Sequence, residues 1–491
     1  MSIDKARKRV RTAALAILSV IFISAPAVIA QNKEVPLTGT KDAMALYIQG
    51  REKIENLEDP GTLFDQAVQK DPNFAMAYLL AGNTNMEFRS NLAKAVALAD
   101  KVSPGEREWI LATKEQFDGN PTAWKAHLDE LLKLYPNDPR AQSQMGFYYR
   151  NFGDDASAVK YFWQAAKLDK NYAPVYNNIG YSNIALGKYA DAETAFKTYI
   201  KLIPKNPNPY DSYAELLMKT GKYDDSIAQY NKALSIDPTF FNSYRGLGND
   251  YAYKGDYMKA RESYQRMYDK APNDGGRDQA LFSTMNSYLA EGKLDEAMKV
   301  SEQRRAMAEK VGDVQAQIGL YTSNGFVLIE SGKLDAAAKQ FEMADKLRDD
   351  PSLPPALADN RRFGKMSANA RLLIARDQFG PAQAQLDEMK QFISTRPNPN
   401  QERTWYGLAG MLDLKQKNYS RAIYDFAKAD TTDPYNWYYT AAAYEGSGDS
   451  KMAMTLYSKV ADWNQLDATG HSIVRSRAMA RGTELAKAPK Q

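Results

Sequence analysis

Chemistry needs nucleophiles, bases or ligands that can be brought together, and this sequence offers few. It has no cysteine and only two histidines, His127 and His471, in 491 residues. That excludes a thiol nucleophile, a disulfide and a thiolate metal site. Two histidines far apart give no transition-metal spacing. His127 falls on a polar stretch and His471 in the C-terminal tail, so each reads as an isolated surface histidine. No run of carboxylates has calcium-loop spacing. Neither a GxxxxGK(S/T) phosphate loop nor a strand–GxGxxG–helix fingerprint is present. The glycine-rich "YRGLGNDYAYKG" places Gly246 and Gly248 inside a helical period, where packing explains Gly248. The acidic pairs Asp154/Asp155 and Asp224/Asp225 each open a helix. There a carboxylate caps free N–H groups and faces the positive helix end. The expectation is a protein that is not an enzyme and holds no cofactor and no metal.

The elements around these residues explain more than the residues do. Gly119, Gly153, Gly187, Gly221 and Gly255 stand 34 residues apart. In the unit 173–206, Tyr176, Ile179 and Gly180 share one helical face, and Ala192, Phe196 and Tyr199 share another. Gly187 stops the first helix and Pro204 ends the second. The unit reads as two antiparallel helices joined by a tight turn. Gly180 and Ala192 are expected where the helices approach closest, with the aromatics filling the wider gap to the next unit. Neither helix is long enough to be stable alone, so stacked neighbours must bury its apolar face.

This pattern resembles the tetratricopeptide repeat. Its small, aromatic and proline positions recur at Gly146, Tyr149, Ala158, Phe162 and Ala165 in 139–172, with Lys170 in place of the proline. They recur at Ala214, Ser226, Tyr230, Ala233 and Pro238 in 207–240, and at Tyr244, Gly248, Tyr251, Ala260, Tyr264 and Pro272 in 241–274. In 105–138 Ala112, Gly119 and Pro136 are kept, but Trp124 takes a small position. Near the N-terminus Phe64, Ala67, Pro72, Tyr78 and Gly82 keep the relation. Beyond 275 the register loosens, with Gly292 and Gly332 opening longer units. It weakens over 366–399, then sharpens again with Gly410, Ala422, Phe426, Ala429 and Pro434 in 403–436. A last unit holds Tyr444, Gly448, Ala453 and Tyr457. Repetition at constant spacing is a strong fold signal. The resemblance implies an all-α fold, an α-solenoid of tandem helix-turn-helix repeats in a right-handed superhelix. The expected organisation is a signal peptide over 1–30, an N-terminal array over 31–347, and a proline-containing segment over 348–365. Tetratricopeptide-like repeats follow over 366–467, then a capping helix and tail over 468–491. The segment "RDDPSLPPALADNRRFG" reads either as a hinge between two arms or as a loop insertion.

The resemblance further implies that the first helices line a concave groove that holds a peptide or a partner's helix. Candidate groove residues are Arg140, Phe147, Arg150, Asn151, Asn177, Tyr181, Asp211, Glu215, Lys219, Arg245, Asn249 and Tyr253. Tyr, Asn and Arg suit recognition, offering hydrogen bonds and rigid contact area at modest entropy cost. Arg245 and Asn249 match the first pair of the family's carboxylate clamp. Its later positions fall on Ser283 and Val314, so that ligand is not expected.

The N-terminus places the protein. "MSIDKARKRVR" carries five basic residues and one acid, and "TAALAILSVIFIS" is an uncharged apolar run. Val28 and Ala30 then suit cleavage before Gln31. The chain has 64 basic and 60 acidic residues; without the first 30 it keeps 59 of each. The basic balance therefore belongs to the signal and gives no support for nucleic-acid binding. The expectation is a periplasmic or secreted, non-enzymatic protein-binding scaffold or assembly factor of a bacterial cell envelope, without a membrane span in the mature chain. The other reading is a carbohydrate or cell-wall ligand-binding protein, in which Trp109 and groove tyrosines would stack on sugars.

Overall fold

The structure, a computed structural model, describes residues 34–82, 85–464 and 468–487. The signal segment 1–30 and its cleavage point lie outside the described residues. Among these, the secondary structure is α-helix with two short 3-10 turns, Ala99–Lys101 and Pro355–Leu357. The fold is a solenoid of helix-turn-helix pairs. It divides into two compact units, Met1–Pro209 and Tyr210–Gln491.

Unit 1 contains α1 (Lys41–Glu55), α2 (Leu63–Lys70), α3 (Ala75–Tyr78), α4 (Asn85–Leu98), α5 (Pro104–Phe117), α6 (Pro121–Leu134), α7 (Pro139–Asn151), α8 (Asp155–Leu168), α9 (Ala173–Ala185) and α10 (Tyr189–Leu202). The pairs α1/α2, α5/α6, α7/α8 and α9/α10 each pack against one another. The segment before α1 is stitched to two later helices. Val35 N–H donates to Asp138 at 2.8 Å and Thr38 N–H donates to Glu106 at 2.8 Å. Both carboxylates also cap the helices they open: Asp138 accepts from Arg140 and Ala141 N–H, and Glu106 completes a capping box with Ser103.

Unit 2 runs through α11 (Asn208–Lys219), α12 (Tyr223–Ile236), α13 (Phe241–Tyr253), α14 (Tyr257–Lys270), α15 (Asp274–Ala290), α16 (Leu294–Lys310), α17 (Val314–Glu330) and α18 (Leu334–Leu347). It continues with α19 (Ala358–Ala375), α20 (Phe379–Thr395), α21 (Pro399–Lys415), α22 (Tyr419–Phe426), α23 (Pro434–Gly446), α24 (Ser450–Ala461) and α25 (Thr469–Lys487). The loosened register beyond 275 is a lengthening of helices: α15, α16 and α17 have 17 residues each, where α9 has 13. The proline-containing segment is held at both ends. Leu353 is buried, and Arg348 and Arg361 donate to the Arg361 and Pro354 carbonyls.

The turn glycines stop helices as their spacing predicts. Gly187 has φ +71°, and Lys188 N–H beyond it returns to the Asn183 carbonyl at 2.8 Å, satisfying a free group at the end of α9. In the weak register over 366–399 the same left-handed position falls to Asp377 (φ +55°), and in the sharper unit 403–436 it falls to Lys417 (φ +63°). The turn survives there without its glycine marker.

The aromatic positions correct one expectation. Phe196 does not fill the gap to the next unit; its ring lies on Gly180 of its own unit. A Cβ at Gly180 would come within 2.4 Å of the Phe196 ring. The same ring-on-glycine contact joins Gly146 to Phe162, Gly248 to Tyr264, Gly325 to Phe341 and Gly410 to Phe426. The glycine is therefore space for a ring within the pair, beyond its role in close helix approach. Where that position is Ala214, the methyl group closes the space. Tyr230 then turns to Gly246 of the following unit, where a Cβ would lie 2.0 Å from its ring. That contact accounts for Gly246. Trp124, at a small position, is buried and meets Tyr148 of α7 edge-on at 4.9 Å.

Candidate functional surfaces

In unit 1 the first helices α7 and α9 bring five candidates into one strip. Arg150 donates to Asn178 Oδ1 at 2.8 Å and lies 5.6 Å over the Tyr181 ring. Tyr181 meets Phe196 edge-on and Phe147 meets Phe162 edge-on, so the rings that fill the helix pairs also hold the strip. Phe147 is 37% exposed. Asn151 is exposed, and Arg150, Asn177 and Tyr181 are half-buried. Asn177 Oδ1 is a buried acceptor with no protein partner among the described residues. Arg140 is apart from these. Its guanidinium forks onto Glu55 at 2.6 and 2.8 Å and reaches Glu34 at 3.1 Å. It ties the start of α7 to the end of α1, and that fork holds it in the charged state.

In unit 2 the candidates are more buried. Asp211, Asn249 and Tyr253 are each less than a tenth exposed. Asp211 accepts from Ser243 at 2.6 Å, and Asn249 accepts from Tyr264 at 2.8 Å. Glu215, Lys219 and Arg245 are half-buried. Burial, with the neighbouring Glu215 charge second, raises the Asp211 carboxyl above the usual range. A segment distant in sequence covers the helix ends. Trp463 lies under the Lys219 ammonium at 5.3 Å, Asn464 accepts from Tyr223 at 2.7 Å, and Arg475 lies 4.9 Å over the Tyr253 ring. Lys219 and Tyr253 thus contact the chain's own C-terminal segment.

The same segment closes the later helices. Helix α25 packs on α24 and also lies against α15 and α17, so it covers more than the last pair. Its anchor is Glu330 at the end of α17, whose side chain is 5% exposed. That carboxylate accepts from Tyr435 at 2.7 Å, Tyr439 at 2.9 Å and Arg477 at 2.9 Å. Burial first and the Glu330 charge second push the Tyr439 hydroxyl above its ordinary value, so it stays a donor. Sequence reasoning missed this hub, because Glu330 and its donors lie in different repeats and no local spacing links them.

Two stretches of the chain match tetratricopeptide repeat families, residues 173–206 and residues 214–251. The chain carries tetratricopeptide repeats. Among curated relatives, the anaphase-promoting complex subunit 3 of Schizosaccharomyces pombe is 23% identical over 224 residues, 46% of this chain and 32% of the relative. The Hsp70-Hsp90 organizing protein 2 of Arabidopsis thaliana is 31% identical over 87 residues, 18% of this chain and 15% of the relative. The chain therefore spans about a third or less of these relatives' lengths. Similar solved structures include MamA (22% identity, TM-score 0.31, covering 34% of this chain and 96% of that one). The pilus biogenesis factor PilW is another (17% identity, TM-score 0.37, 41% and 92%).

Both histidines and Asp154 make contacts within this tetratricopeptide-repeat chain. His127 Nδ1 pairs with Glu108 at 2.7 Å, and Glu108 also accepts from Arg107. His471 is not on the surface as expected. It is fully buried and donates from Nε2 to the Val460 carbonyl at 3.1 Å, because α25 turns that face into the core. Asp154 caps α8 through Ser157 N–H at 3.0 Å. Asp224 and Asp225 lie in the first turn of α12, which has no side-chain cap. Among the described residues, no group of three or more histidines or carboxylates could hold a metal ion. No described helix is long and apolar enough to cross a membrane.

Proposed function

We propose that the chain is an exported, non-enzymatic scaffold or assembly factor that binds protein segments along the first helices of its repeats. The observation that carries this is the strip of Phe147, Arg150, Asn151, Asn177 and Tyr181. It combines an exposed ring, a guanidinium over a second ring, and an amide acceptor left unpaired among the described residues. Such a surface gives apolar contact with directional hydrogen bonds, as peptide recognition needs. The relatives are named as a complex subunit and an organizing protein, which favours the same reading. Export rests on the sequence of residues 1–30.

The test is capture of partners from a periplasmic extract by the purified mature chain. Arg150→Glu with Tyr181→Ala should remove the captured protein while thermal unfolding stays within a few degrees. Capture unchanged by that pair would sink the reading. N-terminal sequencing of the envelope-localised protein should begin at Gln31; an intact Met1 start there would overturn cleavage. The hinge over 348–365 is a proposal of the same kind: limited proteolysis of the native chain should cut there preferentially, and no preferred cut would count against it. The carbohydrate alternative gains no observation: Trp109 packs against two buried clusters of unit 1.

A further inference from the structure

Within unit 2, three cavities meet at one side chain. A cavity of about 610 Å³ lies along α17 and α19, one of about 750 Å³ beside the Glu330 hub, and one of about 280 Å³ along α21 and α23. Arg371 of α19 lines all three. Its guanidinium carbon lies over the Phe326 ring at 5.0 Å and the Tyr435 ring at 5.8 Å. One nitrogen reaches Tyr435 Oη at 3.3 Å and Met411 Sδ at 3.7 Å. Its remaining N–H groups have no protein partner, and Arg371 forms no ion pair among the described residues. That is a large unspent donor capacity for a side chain with five N–H groups.

The charge is one-sided in one of the three cavities. The cavity along α17 and α19 is lined by Arg348, Arg361 and Arg371 and by no carboxylate. Among the described residues, only Arg348 of these has an acidic partner, Asp345 at 2.9 Å. Arg361 uses one nitrogen on the Pro354 carbonyl. Over the three cavities together, seven cations line the walls against four carboxylates. Between the cations stand Thr322, Asn360, Asn400 and Asn436, which can pair with peptide N–H and carbonyl groups. The floor is open: a Cβ at Gly319 would meet nothing within 4 Å.

We infer that the cavity along α17 and α19 is a receptor for an acidic peptide segment of a protein partner, its carboxylates seated on Arg361 and Arg371. A guanidinium held beside two aromatic rings presents its remaining N–H groups to a carboxylate at little entropy cost. The volume suits a few residues of extended chain. A carboxylate fits better than a phosphate, because Glu330, Glu445, Asp430 and Asp433 also line the cavities and would repel a dianion. The inference rests on the protein-binding reading but names a different surface, so the two can fail separately.

The experiment is fluorescence anisotropy with a labelled hexapeptide of Asp, Glu and Ala, set against its Asn/Gln counterpart, on the mature chain. The acidic peptide should bind, and binding should weaken with added salt. Arg361→Gln with Arg371→Gln should lower affinity at least tenfold. Gly319→Leu fills the floor without removing charge or straining a helix, and should abolish binding while thermal stability is kept. Lys133→Gln, an exposed cation of α6, should change nothing. Equal binding of the neutral peptide, no acidic-peptide binding, or affinity unchanged by both Gly319→Leu and the arginine pair would overturn the proposal. Displacement of the peptide by millimolar inorganic phosphate would also overturn it, in favour of a phosphate site. Partner capture is scored on Arg150 and Tyr181 in unit 1, so its failure leaves this measurement standing.

Discussion

The two units use the same helical pair for different ends. In unit 1 the first helices α7 and α9 leave Phe147, Asn151 and part of Tyr181 in reach of solvent. In unit 2 the corresponding ends of α11, α13 and α17 are covered by Trp463, Arg475 and Arg477 from the chain's own C-terminal segment. A tetratricopeptide repeat therefore fixes how a pair packs but not whether its recognition face stays open. That depends on what the rest of the chain lays over it.

The comparison can be broken at its supports. The largest effect is expected in the regular packing of unit 1. Phe196→Ala empties the space over Gly180 and should cost about 3–5 kcal/mol. Hydrogen exchange should then show protection lost in α9 and α10 and kept in α23 and α25. Loss spread evenly over both units would contradict independent packing. Next is the hub of unit 2. Glu330→Ala leaves Tyr435 and Tyr439 without their carboxylate acceptor and Arg477 with the residue 330 backbone carbonyl alone. The expected cost is about 2–4 kcal/mol, below a fully buried pair because Arg477 is 38% exposed. Exchange should quicken in α23 and α25 while α7 to α10 stay protected, and Lys219 should become reactive to acylating reagents.

A third measurement uses pH. Asp250 is fully buried, and burial pushes its carboxyl up to about 8. In the unfolded chain it ionises near 4. Between those values the unfolded state has lost the proton and the folded state keeps it, so stability falls as pH rises through this window. Asp250→Asn should raise the melting temperature more at pH 8 than at pH 5. An equal shift at both values would mean the carboxyl is not held neutral. The smallest effects sharpen the turns. Gly187→Ala forces a side chain into φ +71° and should cost about 1 kcal/mol. Lys417→Gly relieves the same conformation and should stabilise by up to about 1 kcal/mol. Denaturant midpoints read both, and the same sign for the two would refute the shared turn geometry.

The legible part of the molecule is the part whose information is local. Gly187, Ala192 and Phe196 lie within one helical pair, so their spacing carries both the turn and the packing. The turn glycine is replaced by Asp377 in the weak stretch 366–399 and by Lys417 in the well-marked unit 403–436, and the structure keeps the turn at both. Candidate groove residues could be placed on first helices, since helical period sets the face. Their exposure could not be read, because Lys219 and Tyr253 owe their cover to residues some 220–240 positions away. Arg371 was missed for a related reason. A single arginine in a polar helix has no local signature, and its lack of a carboxylate partner is a fact about four helices at once. The amino-acid sequence by itself determined the repeated pair, because close packing over 34 residues demands particular small and aromatic side chains. Only the tertiary structure decided which faces are open, because burial by a distant segment depends on how the array closes, here through one carboxylate, Glu330.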